Sequence, residues 1–287
     1  MRALFLLPGF LFAALPAAAC DMDVRHRGQT VADYVEAVQP CLRTWPAGYM
    51  ADARMEADFF TRVNEERTSR GLAALRFRPE LLDAARFQSL DMAFNKFFGH
   101  ESPDGRHHDA RVAAFDRSAL VEYSAENVAM VEVVGGRWNL KRRAVERLHD
   151  NLMDSPGHRA NILNPDITDV AMGVVRTESG VWVTQVFLEL SGSLPAPLPV
   201  RMHPGQRLDM RPALRGWSFQ NFGAKQAGNR YTALGTAIPN NLTGDFELTA
   251  NGRMNGELPG MFYTIRLPGP AVTVGRQGLE KSGDFGE

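Results

Sequence analysis

The 287-residue chain is 44% hydrophobic and 23% charged, ordinary globular proportions that exclude a disordered or fibrous polypeptide. Its 32 Lys and Arg stand against 33 Asp and Glu, so no overall field exists to hold nucleic-acid phosphates or an anionic membrane. The length suits one large domain or two ordinary ones.

In chain order, Arg2, the apolar run 3–15 and Ala17-Ala18-Ala19 before Cys20 have the layout of a secretory signal peptide over residues 1–19. Pro8-Gly9 at its centre unfits it for a transmembrane helix, and no later stretch reaches 18 consecutive apolar residues, so no span is expected in the mature chain. Export to the periplasm or the medium follows as an expectation. Cys20 and Cys41 are the two cysteines of the chain. They either close one disulfide in an oxidising compartment or leave Cys20 as an acylated lipoprotein anchor.

Residues 20–51 read as an N-terminal extension with a helix over 31–38 that ends at Pro40. Met55, Phe59 and Val63, with Phe60 beside them, predict a helix stopped by Gly71. Pro79 opens a second, whose face of Leu82, Ala85, Ser89 and Met92 runs up to Gly99. Pro103, Asp104 and Gly105 mark 99–107 as a loop, and His107-His108 read as solvent-exposed loop residues. Lys141-Arg142-Arg143 reads as the solvated start of a third amphipathic helix carrying Val145, Leu148 and Leu152, broken by Pro156-Gly157. A short helical turn follows over 158–163.

Two alternating runs, Val170/Met172/Val174 and Val181/Val183/Gln185/Phe187, predict a hairpin turning at 177–180. Helices preceding a closing antiparallel hairpin imply an α+β layer domain over 52–191. The Pro-rich stretch 192–200 reads as a stiff linker. Short alternating runs such as Phe246/Leu248/Ala250 and Tyr263/Ile265/Leu267 then predict a small β-rich domain over 201–276, with Trp217, Phe219 and Phe222 in its core and a frayed tail over 277–287.

His100 opens His100-Glu101-Ser102-Pro103-Asp104, which lacks the second His and the continuous helix of an H-E-x-x-H zinc protease. His158 and Glu126 lie far from it along the chain, and spacing alone makes each a capping or packing residue. G-x-S-x-G is absent, no cysteine falls in 52–191, and Pro156-Gly157 separates Ser155 from His158, so no nucleophile–base pair stands out.

Five segments nevertheless appear in order: Asn64-x-x-Arg67-x-x-x-Gly71-Leu72-x-x-Leu75; Phe98-Gly99-His100-x-Ser102-Pro103-Asp104-Gly105; Glu126-Asn127-Val128-Ala129; Ser155-Pro156-Gly157-His158-Arg159-x-Asn161-Ile162-Leu163; and Trp182-Val183-Thr184-Gln185-x-Phe187. Together they resemble a bacterial CAP (SCP) domain, of the cysteine-rich secretory, antigen 5 and pathogenesis-related 1 superfamily. The resemblance implies a three-layer α-β-α sandwich and a central cleft lined by two His and acidic residues, where some members hold zinc or another divalent metal. It places His100, Glu126 and His158 as metal ligands, with Ser102 and Gln185 as hydrogen-bond supports behind them. The family's Trp-x-x-Glu stretch before the second His is replaced by Asn151-Leu152-Met153-Asp154, leaving Asp154 or Glu122 as the substitutes for its carboxylate. The implied role is an exported protein binding a metal, small ligand or lipid, its C-terminal domain contacting an envelope component. A metal-assisted hydrolase or a lipid-binding structural protein are the alternatives.

Overall fold

The computed structural model describes Cys20, Met22 and residues 29–133 and 143–275. The expected signal peptide, Lys141, Arg142 and the 277–287 tail lie outside the described residues. Helix α1 (Val31–Arg43) starts where the Thr30 side chain accepts from the Asp33 amide. It does not end at Pro40 but runs through it for one more turn. That turn carries Cys41, buried and disulfide-bonded to Cys20.

Strand β1 (Met50–Ala51) leads into α2 (Ala53–Thr68), capped by Asp52, whose buried face is Met55, Phe59 and Val63. Gly71, at φ +76°, turns the chain beyond it. After β2 (Arg76–Phe77) and a 3₁₀ turn begun by Pro79, α3 (Leu82–Asn95) is terminated by Lys96 in the left-handed region, short of Gly99. Helix α4 (His108–Phe115) corrects the loop expected at His107-His108: His107 is exposed, but His108 opens a helix, is half-buried and lies 3.3 Å from the Ser124 carbonyl. Strand β3 (Ala119–Glu132) was also not foreseen, because Glu122, Ser124, Glu126 and Asn127 interrupt its apolar alternation. The expected helix and turn are α5 (Ala144–Asp154) and α6 (Pro156–Ile162), and the expected hairpin is β4 (Asp169–Arg176) with β5 (Gly180–Ser193).

These strands form one sheet in the order β1-β4-β5-β3. Apolar residues of α2, α5 and α6 pack on one face, against Val170, Met172, Val183 and Phe187. Those of α1, α3 and α4 pack on the other, against Val175, Trp182, Ala171 and Val186. Because both faces are covered, β4 and β5 are buried almost throughout. The layer order is α-β-α, as expected. Helix α3 crosses β4 at Gly173, where a Cβ would overlap the backbone of Ala85 and Arg86.

The remaining strands are β6 (Arg201–Met202), β7 (Ala213–Leu214), β8 (Ser218–Gln226), β9 (Arg230–Leu234), β10 (Gly244–Asn255) and β11 (Phe262–Val274). They make a five-stranded sheet, β6-β11-β10-β8-β9, while β7 joins the first sheet on β5. The core of this second region includes Phe222, Phe246, Leu248, Ala250 and Leu267; Phe219 packs against it half-buried, and Trp217 lies over Gly252. The Pro-rich stretch expected as a stiff linker packs against the second sheet. Leu194 and Leu198 are buried in the second core, and Arg117 donates to the carbonyls of Leu198, Pro199 and Ala271 at 2.9, 3.1 and 2.7 Å. Helix α1 is tied across as well, its Ala32 amide donating to Thr273 Oγ1 at 3.0 Å.

Candidate functional site

His100 sits in the loop between α3 and α4, which backbone bonds from Ser102 N to Arg106 O and from Gly105 N to Ser102 O fold tightly, with Gly105 at φ +91°. Side chains from the flanking helices fix this loop. Gln88 on α3 donates to Gly99 O at 2.7 Å and accepts from Ser102 Oγ at 3.1 Å. Arg111 on α4, fully buried, donates to the carbonyls of His100 (3.1 Å) and Arg106 (2.8 Å) and to Ser102 Oγ (3.2 Å).

Arg111 also donates to Glu126 Oε2 on β3 at 2.7 Å, with both side chains 1% exposed. The second oxygen, Oε1, lies 3.0 Å from His100 Nδ1. A carboxylate held beside a guanidinium is an acceptor only, so Nδ1 carries the proton and the ring's Nε2 is left free. That ring is 46% exposed on its side-chain surface. The result is a chain Arg111–Glu126–His100 running from interior to solvent.

His158, third residue of α6, is held through its backbone: Asn127 on β3 donates to His158 O at 3.1 Å and to Gln185 Oε1 at 3.1 Å. Asn161 on α6 donates to Asn127 Oδ1 at 2.9 Å. The register that sets Asn127 opposite Gln185 across β3 and β5 therefore positions α6. Gln185 Nε2 is buried, without a hydrogen-bond partner among the described residues. Burial pushes the His158 imidazole pKa down, and Coulombic repulsion from His100 adds to that, which favours the neutral form of this half-buried ring.

Of the residues singled out from sequence, His100 and Glu126 touch, and His158 is brought near His100. Ser102 supports the His100 loop and Gln185 supports Asn127; the hydrogen bonds of both go to groups other than the imidazoles. Glu122 is placed elsewhere. It accepts from Ser191 at 2.6 Å and lines a cavity of about 210 Å³ between α4, β3 and the second sheet. Asp154 is exposed at the end of α5. Among the described residues no three His, Cys, Asp or Glu gather into a group able to hold a metal. Glu126 has both oxygens engaged, so the three-ligand set does not fit. Arg111, Gln88, Asn127 and Asn161 are the supporting residues that sequence reasoning missed. Asn127 and Asn161 lay within quoted motifs, whereas Arg111 was signalled only by heading an apolar run, Arg111-Val112-Ala113-Ala114-Phe115.

Residues 60–187 match the sequence model of the Cysteine-rich secretory protein family, CAP. The uncharacterized protein YkwD of Bacillus subtilis (strain 168) is 33% identical over 130 residues, 44% of each chain, so the present chain spans less than half the length of that relative. Among solved structures, an extracellular SCP-domain protein of Bacillus anthracis aligns at a TM-score of 0.40 and 25% identity, covering 48% of this chain and 41% of that one. An outer surface protein of Borrelia burgdorferi aligns at 0.40 and 16% identity, covering 49% and 98%.

Proposed function

Because the chain belongs to the CAP superfamily through the domain at residues 60–187, we propose that it is an exported binding protein whose cleft receives a small ligand between the rings of His100 and His158. The observation that carries this reading is the Arg111–Glu126–His100 chain, which fixes one imidazole through Nδ1 and leaves its Nε2 for a ligand. The ligand then meets one nitrogen of a carboxylate-backed ring and a neutral ring of lowered basicity. A divalent ion is one such ligand. The two imidazoles would hold it, Glu126 would orient rather than ligate, and the ion would supply a Lewis-acidic point for a further ligand. The Cys20–Cys41 disulfide supports an oxidising, non-cytosolic compartment. Binding rather than hydrolysis is favoured because Ser102 Oγ is engaged by Gln88 and Arg111, and both cysteines are consumed.

Titration of the protein with zinc, followed by the histidine ring proton resonances, tests the reading. Both His100 and His158 signals are expected to shift together, and His100→Ala with His158→Ala to abolish the response. An affinity that survives the double substitution would place binding elsewhere. Turnover of peptides or esters abolished by the same substitutions would make the cleft an active site instead.

A further inference from the structure

On the second sheet, β10 and β11 pair Asn251 with Arg266 and Arg253 with Thr264, so these four side chains share the face turned away from the core. Beside them β8 sets Asn221 opposite Asn251. From β9, Tyr231 lies across β8 at Gly223, where any Cβ would collide with its ring and hydroxyl. Asn251 Nδ2 donates to Tyr231 Oη at 2.5 Å and to Asn221 Oδ1 at 2.6 Å, and Asn251 Oδ1 accepts from Arg266 Nε at 3.3 Å. The result is an open groove of about 640 Å³, lined by Gln220, Asn221, Tyr231, Asn251, Arg253 and Arg266 among others, and by no acid.

The two arginines are held but not neutralised. Arg266 stacks over Tyr231 with its guanidinium 3.8 Å from the ring centre, and Arg253 over Phe262 at 4.1 Å. Among the described residues neither has a carboxylate partner; elsewhere Arg76, Arg78, Arg86, Arg201 and Arg207 all have one. Stacking removes side-chain freedom before any ligand arrives, leaving planar forks suited to carboxylate or phosphate. Tyr231 lies under Arg266 and against β8 at Gly223, and Arg253 stacks on Phe262, which stays half exposed outside the groove lining. No aromatic platform remains among the described groove residues for a nucleobase or for the apolar face of a neutral sugar. What the groove offers is anion recognition flanked by amides and a phenol that bond hydroxyls, on a surface open enough for a chain to lie along it.

We propose that this face of the C-terminal sheet is a binding groove for an acidic polysaccharide, its carboxylates on Arg253 and Arg266 and its hydroxyls on Asn221, Gln220 and Tyr231. The groove is separate from the cleft of His100 and His158 and does not depend on that cleft's ligand. Calorimetry of the full chain with polygalacturonate, with dextran as the neutral control, is the test. Binding is expected for polygalacturonate alone and to weaken with added salt. Arg253→Gln with Arg266→Gln is expected to weaken it about tenfold or more. Arg70→Gln, which removes an exposed guanidinium on the other domain, should leave it unchanged. Equal binding of dextran, no binding of polygalacturonate, or undiminished binding by the double variant overturns the proposal. So does binding that is confined to phosphatidylglycerol vesicles or to single-stranded DNA.

Discussion

The two regions of the molecule keep their charges in opposite places. In the CAP domain they are interior. Arg67 is fully buried, donating to the carbonyls of Ala73, Ile162 and Asn164, and Arg111 meets Glu126 beneath the His100 loop. In the C-terminal sheet the core is apolar, and two arginines, Arg253 and Arg266, stand on the outer face, stacked on rings. A buried charge is costly to desolvate and is tolerated only with partners, so it fixes geometry and makes loop and strand one unit. A surface charge contributes little to folding and is left free for a ligand. The first region's site is thus inseparable from its stability, and the second's is not.

The sharpest break of this contrast is Arg111→Met, which takes the guanidinium from buried Glu126, leaving His100 as its side-chain partner, and removes the bonds Arg111 donates to His100 O, Arg106 O and Ser102 Oγ. A loss of about 3–5 kcal/mol is expected, read by urea unfolding. Adding Glu126→Gln should recover part of it; no recovery would mean that the hydrogen bonds to the loop, not the charge, dominate.

Asp91, buried on α3 beside Asn95, has its carboxyl pushed up to about 6, chiefly by burial. The folded pKa is raised, so the native state is unpenalised below the unfolded value near 4 and loses stability as pH rises through about 6. Asp91→Asn should therefore stabilise the protein by on the order of 2 kcal/mol at pH 8, the gain vanishing toward pH 4. A gain independent of pH between 4 and 8 would show that titration of Asp91 is not its source.

In the second region, Gly223→Ala should displace Tyr231 from its place across β8 and cost about 1–3 kcal/mol in thermal unfolding. Smallest of all, Arg253→Gln with Arg266→Gln should move stability by no more than about 0.5 kcal/mol. A larger loss would mean that these arginines hold the sheet together, and the contrast between the regions would fail.

Much of this was legible from local pattern. Apolar spacing marked α2, α5 and the β4–β5 hairpin, and Gly and Pro marked the His100 loop, because helix and strand periods repeat within a few residues. Helix α4 and strand β3 were not legible: each carries polar residues where the period calls for apolar ones, and among these Arg111, Glu126 and Asn127 are turned to the site. Pro40 failed as a helix stop because the packing and disulfide of Cys41 hold the last turn in place.

By itself, then, the sequence determined the kind of fold, the family likeness and the two histidines worth watching, all of which rest on residues close in the chain or on motifs in order. Tertiary structure alone decided that Glu126 is spent on Arg111 and His100, that Asn127 ties α6 to β3, and that Gly223 lets Tyr231 cross to Asn251. Those hydrogen-bonded pairs join residues 15 or more positions apart, across loops whose closure no local propensity encodes. Only packing of a whole layer fixes which distant polar groups meet, since each must find a partner once water is excluded.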